Sequence, residues 1–317
     1  MSNYDVISIG SAVLDIFMKS DKFKVVQSGD IPGGIAMCEV YGGKMEVEEV
    51  DIVSGGGATN TAVSFARKDL KSAVVAEMGN DPQSLLVHKD LEENQVDTRF
   101  LVQEAGETTA VSVVLIADDG GRSIMVHRGA AALLTKEDIP LDLMDTRWIH
   151  ISSLGGNIEL LKLLLTWAKS KQVRVSFNPG MKEINQKEKL LPLLSQIEIL
   201  FLNRDEAKEL WGIDYRDEGL WKSMQAIPGS YVTVMTDGAN GGKVCVNGKV
   251  SFYEGVKVKK VVDSTGAGDA FASGMVSAVL YGKTYEQAVE WGIKNATNVL
   301  MHVGAKKGLL TLGEINK

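Results

Sequence analysis

The hydrophobic positions of the chain follow two rhythms. Short apolar runs have the length and composition of strands buried on both faces. They are Asp5-Val6-Ile7-Ser8-Ile9, Ser72-Ala73-Val74-Val75-Ala76, Trp148-Ile149-His150-Ile151, Val173-Arg174-Val175-Ser176-Phe177, Ile197-Glu198-Ile199-Leu200-Phe201-Leu202 and Tyr231-Val232-Thr233-Val234-Met235. Between them lie stretches with helical spacing: Thr61 to Leu70, Pro82 to Asn94, Ile158 to Ser170 and Arg204 to Trp211. Two more follow, one from about Asp269 and one from Thr284 to about Met301, where Thr284 and Gln287 form a capping-box pattern. Strand and helix in alternation predict an α/β domain with a doubly wound, mostly parallel sheet.

Two stretches break the alternation. From Val13 to about Ser54, and again from Thr98 to His127, short β-rich pieces are separated by turns such as Pro32-Gly33-Gly34, Gly42-Gly43 and Asp118-Asp119-Gly120-Gly121. They predict a small separate sheet beside a pocket, a candidate lid formed by insertions 13–54 and 98–127 in a single domain of 1–317. A further hairpin is predicted at Asn247-Gly248.

Composition narrows the functions. A chain of 317 residues, 44% hydrophobic and 24% charged, can bury a large core. Its net charge of −7, with no basic stretch, argues against nucleic acid or an anionic membrane surface as partner. No apolar run reaches membrane-spanning length and no signal-like leader opens the chain, so a cytoplasmic location is expected. Cys38 and Cys245 stand far apart, and His88, His127, His150 and His302 are scattered, so no thiolate or imidazole metal site is expected.

The chemistry-bearing residues follow predicted strand ends, where ligands bind in doubly wound sheets. Asp263-Ser264-Thr265-Gly266-Ala267-Gly268-Asp269 leads into a helix of small residues. Its backbone amides would form an anion hole, with the Asp269 carboxylate beside it to align a hydroxyl; the competing reading is a helix capped by Asp263 or Thr265. Gly55-Gly56-Gly57-Ala58-Thr59-Asn60 offers bare backbone and an amide to a polyhydroxyl ligand, or is only a strand-to-helix turn. Asn203 and Glu206 suit either hydrated magnesium or a capping box. Walker A, dinucleotide-fingerprint and serine-elbow patterns are absent.

Together these motifs resemble the ribokinase-like, or PfkB, family of carbohydrate and nucleoside kinases, over nearly the whole chain. The resemblance implies a ribokinase-like three-layer α/β/α fold with a β-sheet lid. It also implies an ATP-dependent enzyme that phosphorylates a hydroxyl, a primary one, of a small sugar or, alternatively, a nucleoside. Asp269 would be the base, with the Gly266, Ala267 and Gly268 amides as the anion hole. Asp15, Gly55, Gly56 and Asn60 would hold the substrate. Thr236, Gly238, Gly241 and Asn295 would hold the nucleotide, Asn203 and Glu206 would organise Mg2+ through water, and Asp263 and Thr265 would border a K+ site.

Two departures weaken ribose as the substrate: Gly57 stands where ribokinases typically carry lysine, and Ser152-Ser153 near where they carry glutamate. Phe17, Phe23, Tyr41 and Phe100 are candidates to stack on a base, and Arg99, Arg122 and Arg128 to meet an acidic sugar. A homodimer through the lid is expected. The alternative of another class is a non-catalytic metabolite-binding or regulatory protein on the same fold.

Overall fold

The computed structural model describes residues 2–31, 34–118, 121–212, 214, 216–219 and 232–317. The turn at Pro32-Gly33, the tip at Asp119-Gly120 and Tyr231 lie outside them.

In chain order the strands are β1 (Val6–Ser11), β2 (Val13–Ser20), β3 (Lys24–Gln27), β4 (Ile35–Cys38), β5 (Glu49–Gly55), β6 (Ser72–Gly79), β7 (Leu101–Glu104), β8 (Ala110–Ala117) and β9 (Arg122–His127). They continue with β10 (Trp148–Ile151), β11 (Arg174–Phe177), β12 (Ile199–Asn203), β13 (Val232–Thr236), β14 (Gly242–Val246) and β15 (Lys249–Tyr253). The helices are α1 (Gly57–Ala66), α2 (Pro82–Glu93), α3 (Ile158–Lys171), α4 (Met181–Ile184), α5 (Lys187–Leu190), α6 (Arg204–Trp211), α7 (Ala267–Leu280), α8 (Tyr285–Val299) and α9 (Leu312–Ile315).

Nine strands form the main sheet in the order β15-β14-β13-β12-β11-β10-β1-β6-β7, parallel except for β14 and β15 at one edge. The chain leaves β1 for β6 on one side and returns through β10 on the other. The strand order therefore reverses at β1, and the crevice beyond its carboxyl end is where such sheets bind ligands. One apolar cluster, around Leu160, Leu164, Ile149 and Phe177, packs α3 onto one face. Another, around Phe271, Met275, Trp291 and Phe201, packs α7 and α8 onto the other. This is the expected ribokinase-like three-layer arrangement.

The small sheet has the order β5-β2-β8-β9, and among the described residues β3 and β4 form a separate two-stranded sheet. Within the second β-rich stretch, β7 pairs with β6 and so belongs to the main sheet; only β8 and β9 join the small one. Cross-strand partners share a face, so register divides its side chains into two sets. Asp15, Ser112 and Val126 lie on one face; Ile16, Ile52, Val113 and Met125 lie on the other.

Helix chemistry follows the predicted signals. Pro82 occupies the first turn of α2, and Thr284 and Gln287 close a capping box on α8. The first prediction for α1 begins four residues late, because Gly57 to Asn60 are helical despite their glycine and polar character. His150 is fully buried, with Nδ1 against the Ser176 hydroxyl, and burial lowers its pKa to about 3, so it is a neutral core residue.

Lys68 at the end of α1 is fully buried with no carboxylate beside it; its ammonium donates to Ser64 O, Ser64 Oγ and Asn295 Oδ1. Burial lowers its pKa to about 7. Above that pH the folded chain has lost a proton that the unfolded chain keeps up to the ordinary lysine value, so stability rises with pH there. Denaturant titrations from neutral to pH 9 are expected to show wild-type stability rising relative to Lys68→Met, by up to ~2–3 kcal/mol at ~1.4 kcal/mol per pH unit.

Candidate active site

Helix α7 starts without a side-chain cap: its N-cap is Gly266, left-handed at φ 73°. A Cβ there would sit 2.2 Å from the Ala305 Cβ, so glycine is required for both conformation and space. Asp263 and Thr265, the expected caps, bond to each other instead. Among the described residues the amides of Gly266 and Gly268 have no protein acceptor, while that of Ala267 reaches Ser264 O. The first turn of α7 is thus an exposed set of donors at the positive end of a helix.

Asp269, in that first turn, is held by one contact from the far side of the cleft: Asn60 Nδ2 donates to its Oδ2 at 2.8 Å. Burial raises the Asp269 pKa from the ordinary 3.8 to about 6; the Asn60 hydrogen bond and the Lys306 charge oppose this, and Asp15 adds to it. Asn60 is almost fully buried, and among the described residues its Oδ1 has no hydrogen-bond partner.

The glycine cluster fits the cleft by its lack of side chains. A Cβ on Gly55 would lie 2.0 Å from Asp15 Oδ2. One on Gly57 would lie 2.6 Å from Ser152 Cβ and 3.7 Å from Asp269 Oδ1. Asp15, Gly55, Gly57, Asn60, Ser152 and Asp269 therefore converge on one space. The Gly57 amide donates to Ser11 Oγ at the end of β1, fixing α1 at the switch point. Burial raises the Asp15 pKa, countered by a hydrogen bond from Ser112 and by Lys306.

On the other side of the Gly266–Gly268 turn lies a cavity of about 580 Å³. Thr236, Gly238 and Gly241 line it, and Gly268 and Ala267 form its border with the cleft. Asn295 does not line it. Its side chain is fully buried between α1, α7 and α8, donating to Ser64 Oγ and Ala270 O and accepting from Leu310 N, so it is structural. The cavity walls are apolar instead, from Val256, Val261, Phe271, Ile293, Ala296 and Leu300.

Asn203 and Glu206 form the reciprocal capping box of α6, Asn203 N to Glu206 Oε2 at 2.8 Å and Glu206 N to Asn203 Oδ1 at 2.9 Å. Burial raises the Glu206 pKa, and Asp205 and Glu183 add to this. Among the described residues no group of three or more His, Cys, Asp or Glu side chains surrounds a metal position. Asp263 is also spoken for. Its Oδ1 accepts from Arg122 Nη1 (2.9 Å), Thr265 N (3.0 Å) and Thr265 Oγ1 (2.8 Å), and its Oδ2 from Gly304 N (3.0 Å). Arg122 therefore supplies a positive charge beside Asp263 and Thr265, where the sequence led to the expectation of K+.

Of the aromatic candidates, Phe17, Phe23 and Phe100 are buried packing residues and Tyr41 is exposed. Arg99 pairs with Asp97, away from the cleft. Sequence reasoning missed Lys306, which is fully buried, bonds Ser54 Oγ and Asp90 Oδ2 at 2.7 Å each, and offsets the charges of Asp15 and Asp269. Its position in Gly304-Ala305-Lys306-Lys307-Gly308, near the C-terminus, carried no motif signal.

An anion hole bearing an aligned carboxylate, between a polar cleft and an apolar cavity on this fold, defines a phosphotransferase of the ribokinase-like class. The chain belongs to the pfkB family of carbohydrate kinases, which it matches over residues 4–312. It is 30% identical over 240 residues to a fructokinase from Escherichia coli, covering 71% of this chain and 76% of that one. It is also 30% identical over 260 residues to a cytidine kinase from Thermococcus kodakarensis, covering 79% and 88%. Its fold superposes on the Arabidopsis thaliana ribokinase complexed with ribose and ATP with a TM-score of 0.78, at 19% identity over 100% of this chain and 98% of that one. Members of the family are kinases of sugars or nucleosides that use ATP, and this chain is one of them.

An acid whose pKa is raised on folding costs stability once it ionises, above about pH 6, and costs nothing once both states are protonated. Asp269→Asn is therefore expected to be more stable than wild type at pH 8 by up to ~2–3 kcal/mol, a gain that fades towards pH 4. Paired urea titrations at the two pH values measure it.

Proposed function

We propose that the chain transfers the γ-phosphate of ATP to a primary hydroxyl of a small sugar. The observation that carries this reading is the position of Asp269: it sits in the first turn of an uncapped helix whose Ala267 and Gly268 border the cavity on one side, and it bonds Asn60 of the cleft on the other. The apolar cavity suits an adenine, and the Gly266–Gly268 turn suits the phosphates. Asp15 and the free Asn60 Oδ1 accept from acceptor hydroxyls, and Asp269 orients the attacking one and takes its proton. With its pKa near 6, Asp269 is ionised at neutral pH and a better base than an ordinary carboxylate.

Asn203 and Glu206 fit a hydrated magnesium ion. The Glu206 carboxylate is penalised by burial and by neighbouring carboxylates, so a cation would relieve it. Bound there, the ion would neutralise phosphate charge.

The nucleoside alternative is favoured by Ile124 and Val126, half-exposed on the face of the small sheet that carries Asp15 and Ser112. They offer a base an apolar wall. That sheet acts as a lid on the cleft, and its outer face, with Val50, Ile52 and Met125 each more than half exposed, supports a homodimer.

A panel of sugars and nucleosides assayed for ADP release is expected to show turnover by wild type and a loss of at least ~100-fold in kcat for Asp269→Asn. Undiminished turnover in that variant removes Asp269 from the base role, and ligand binding by calorimetry without ADP formation for every acceptor favours a non-catalytic sensor. For the best acceptor, kcat/KM should fall as pH drops through about 6, and Asn60→Leu should move that limb upward, since the lost hydrogen bond had favoured the ionised form. In sedimentation velocity, wild type is expected to run as a dimer and Ile52→Lys as a monomer; a monomeric wild type rejects the interface.

A further inference from the structure

Arg122 is the first residue of β9, and its register opposite Ile116 puts it on the same face of the small sheet as Ser112 and Asp15. From there it reaches the loop that precedes α7. Its Nη1 meets Asp263 Oδ1 at 2.9 Å and its Nη2 bonds Ser264 Oγ. The Asp263 side chain is only 3% exposed. Ser264 lines the cavity assigned to the nucleotide, two residues before Gly266. A planar fork from the small sheet thus braces the loop that forms the anion hole.

We infer that Arg122 is the built-in cation of the Asp263 loop, so that nucleotide binding by this chain is independent of potassium and depends instead on the small sheet lying against that loop. A carboxylate has about four lone-pair positions. Three donors, Arg122 Nη1, the Thr265 amide and the Thr265 hydroxyl, crowd onto Asp263 Oδ1, and the Gly304 amide takes one position on Oδ2. The Thr265 hydroxyl spends its proton on the same carboxylate. A potassium ion binds to oxygens with open lone pairs, and Oδ1, the oxygen beside the guanidinium, offers none. The guanidinium supplies the positive charge already, and a second cation beside it would be repelled. The arginine differs from a free ion in being tethered: its charge reaches the loop only with β9. The cover over the acceptor cleft and the loop around the phosphates are therefore joined through one side chain.

The nucleotide arm of the test rests on the phosphotransferase reading; the cation arm does not. Thermal unfolding with potassium chloride or with tetramethylammonium chloride at equal ionic strength reads the cation site alone. Wild type should give the same Tm in both salts, and Arg122→Ala, with Asp263 uncovered, a higher Tm in potassium. A potassium-dependent Tm in wild type overturns the inference. Calorimetric titration with ADP in the same salts reads the coupling. Wild-type affinity should not change between salts. Arg122→Ala should bind about tenfold more weakly in tetramethylammonium, the weight of one charge-assisted hydrogen bond, and recover in potassium. Arg122→Lys, which keeps the charge and loses the fork, should fall between them. Equal ADP affinity for Arg122→Ala and wild type in both salts overturns the inference as well. A wild type that binds no nucleotide in either salt counts against the phosphotransferase reading, and the Tm comparison still decides the cation question.

Discussion

The hydrogen bond from Asn60 to Asp269 joins residues 209 positions apart and is the contact on which the site depends. Asp269 sits where burial works against its charge, at the start of a helix whose free amides attract anions. One donor from α1 and the more distant Lys306 charge hold it ionised without saturating it. A stronger set of partners would pull its pKa down and make it a poor proton acceptor; none would leave it protonated at neutral pH. The glycines around it follow from the same constraint. A Cβ at Gly55 or Gly57 would collide with Asp15 or Ser152, closing the space in which Asn60 reaches Asp269.

Much of this was legible in the chain. Strands buried on both faces announce themselves as apolar runs, and β1, β6, β10, β11, β12 and β13 all appear where such runs stand. Asn203 and Thr236 do end parallel strands, β12 and β13, but Asp15 lies within β2 and Gly55 ends β5 of the small sheet, so the motifs converge through the placement of that sheet as well. Asn203 with Glu206 shows the limit of spacing arguments: the capping box is present in full, and the same geometry leaves a carboxylate suited to a cation.

What remained hidden depends on contacts between distant segments. Asn295 looks like a ligand-binding amide in one dimension, yet it satisfies Ser64, Ala270 and Leu310 inside a helix junction, where an unpaired polar group would be costly. The cavity walls Ile293, Ala296 and Leu300 carry no polar signature and look like any core-facing stripe of a helix. Asp263 appeared available because the arginine that fills it comes from a hairpin 141 residues earlier. The start of α1 was misplaced for a local reason: glycine and threonine are weak helix formers, and tertiary packing against Ser11 and the cleft overrides them.

The two sides of the anion hole differ in a way that suits transfer to an acceptor over transfer to water. One side is an apolar cavity that recognises shape and carries few groups to order water. The other is lined by the Asp15 and Asp269 carboxylates, each raised in pKa by burial, and by Asn60, whose buried Oδ1 has no hydrogen-bond partner among the described residues. An acceptor rich in hydroxyls satisfies these groups together, whereas a single water satisfies only some. Closing the small sheet over such an acceptor dries the cleft, which strengthens each remaining electrostatic contact. In the proposed reaction, the small sheet that covers the acceptor also carries, on β9, the arginine bonded to the loop before α7, so cover and loop are joined through Arg122.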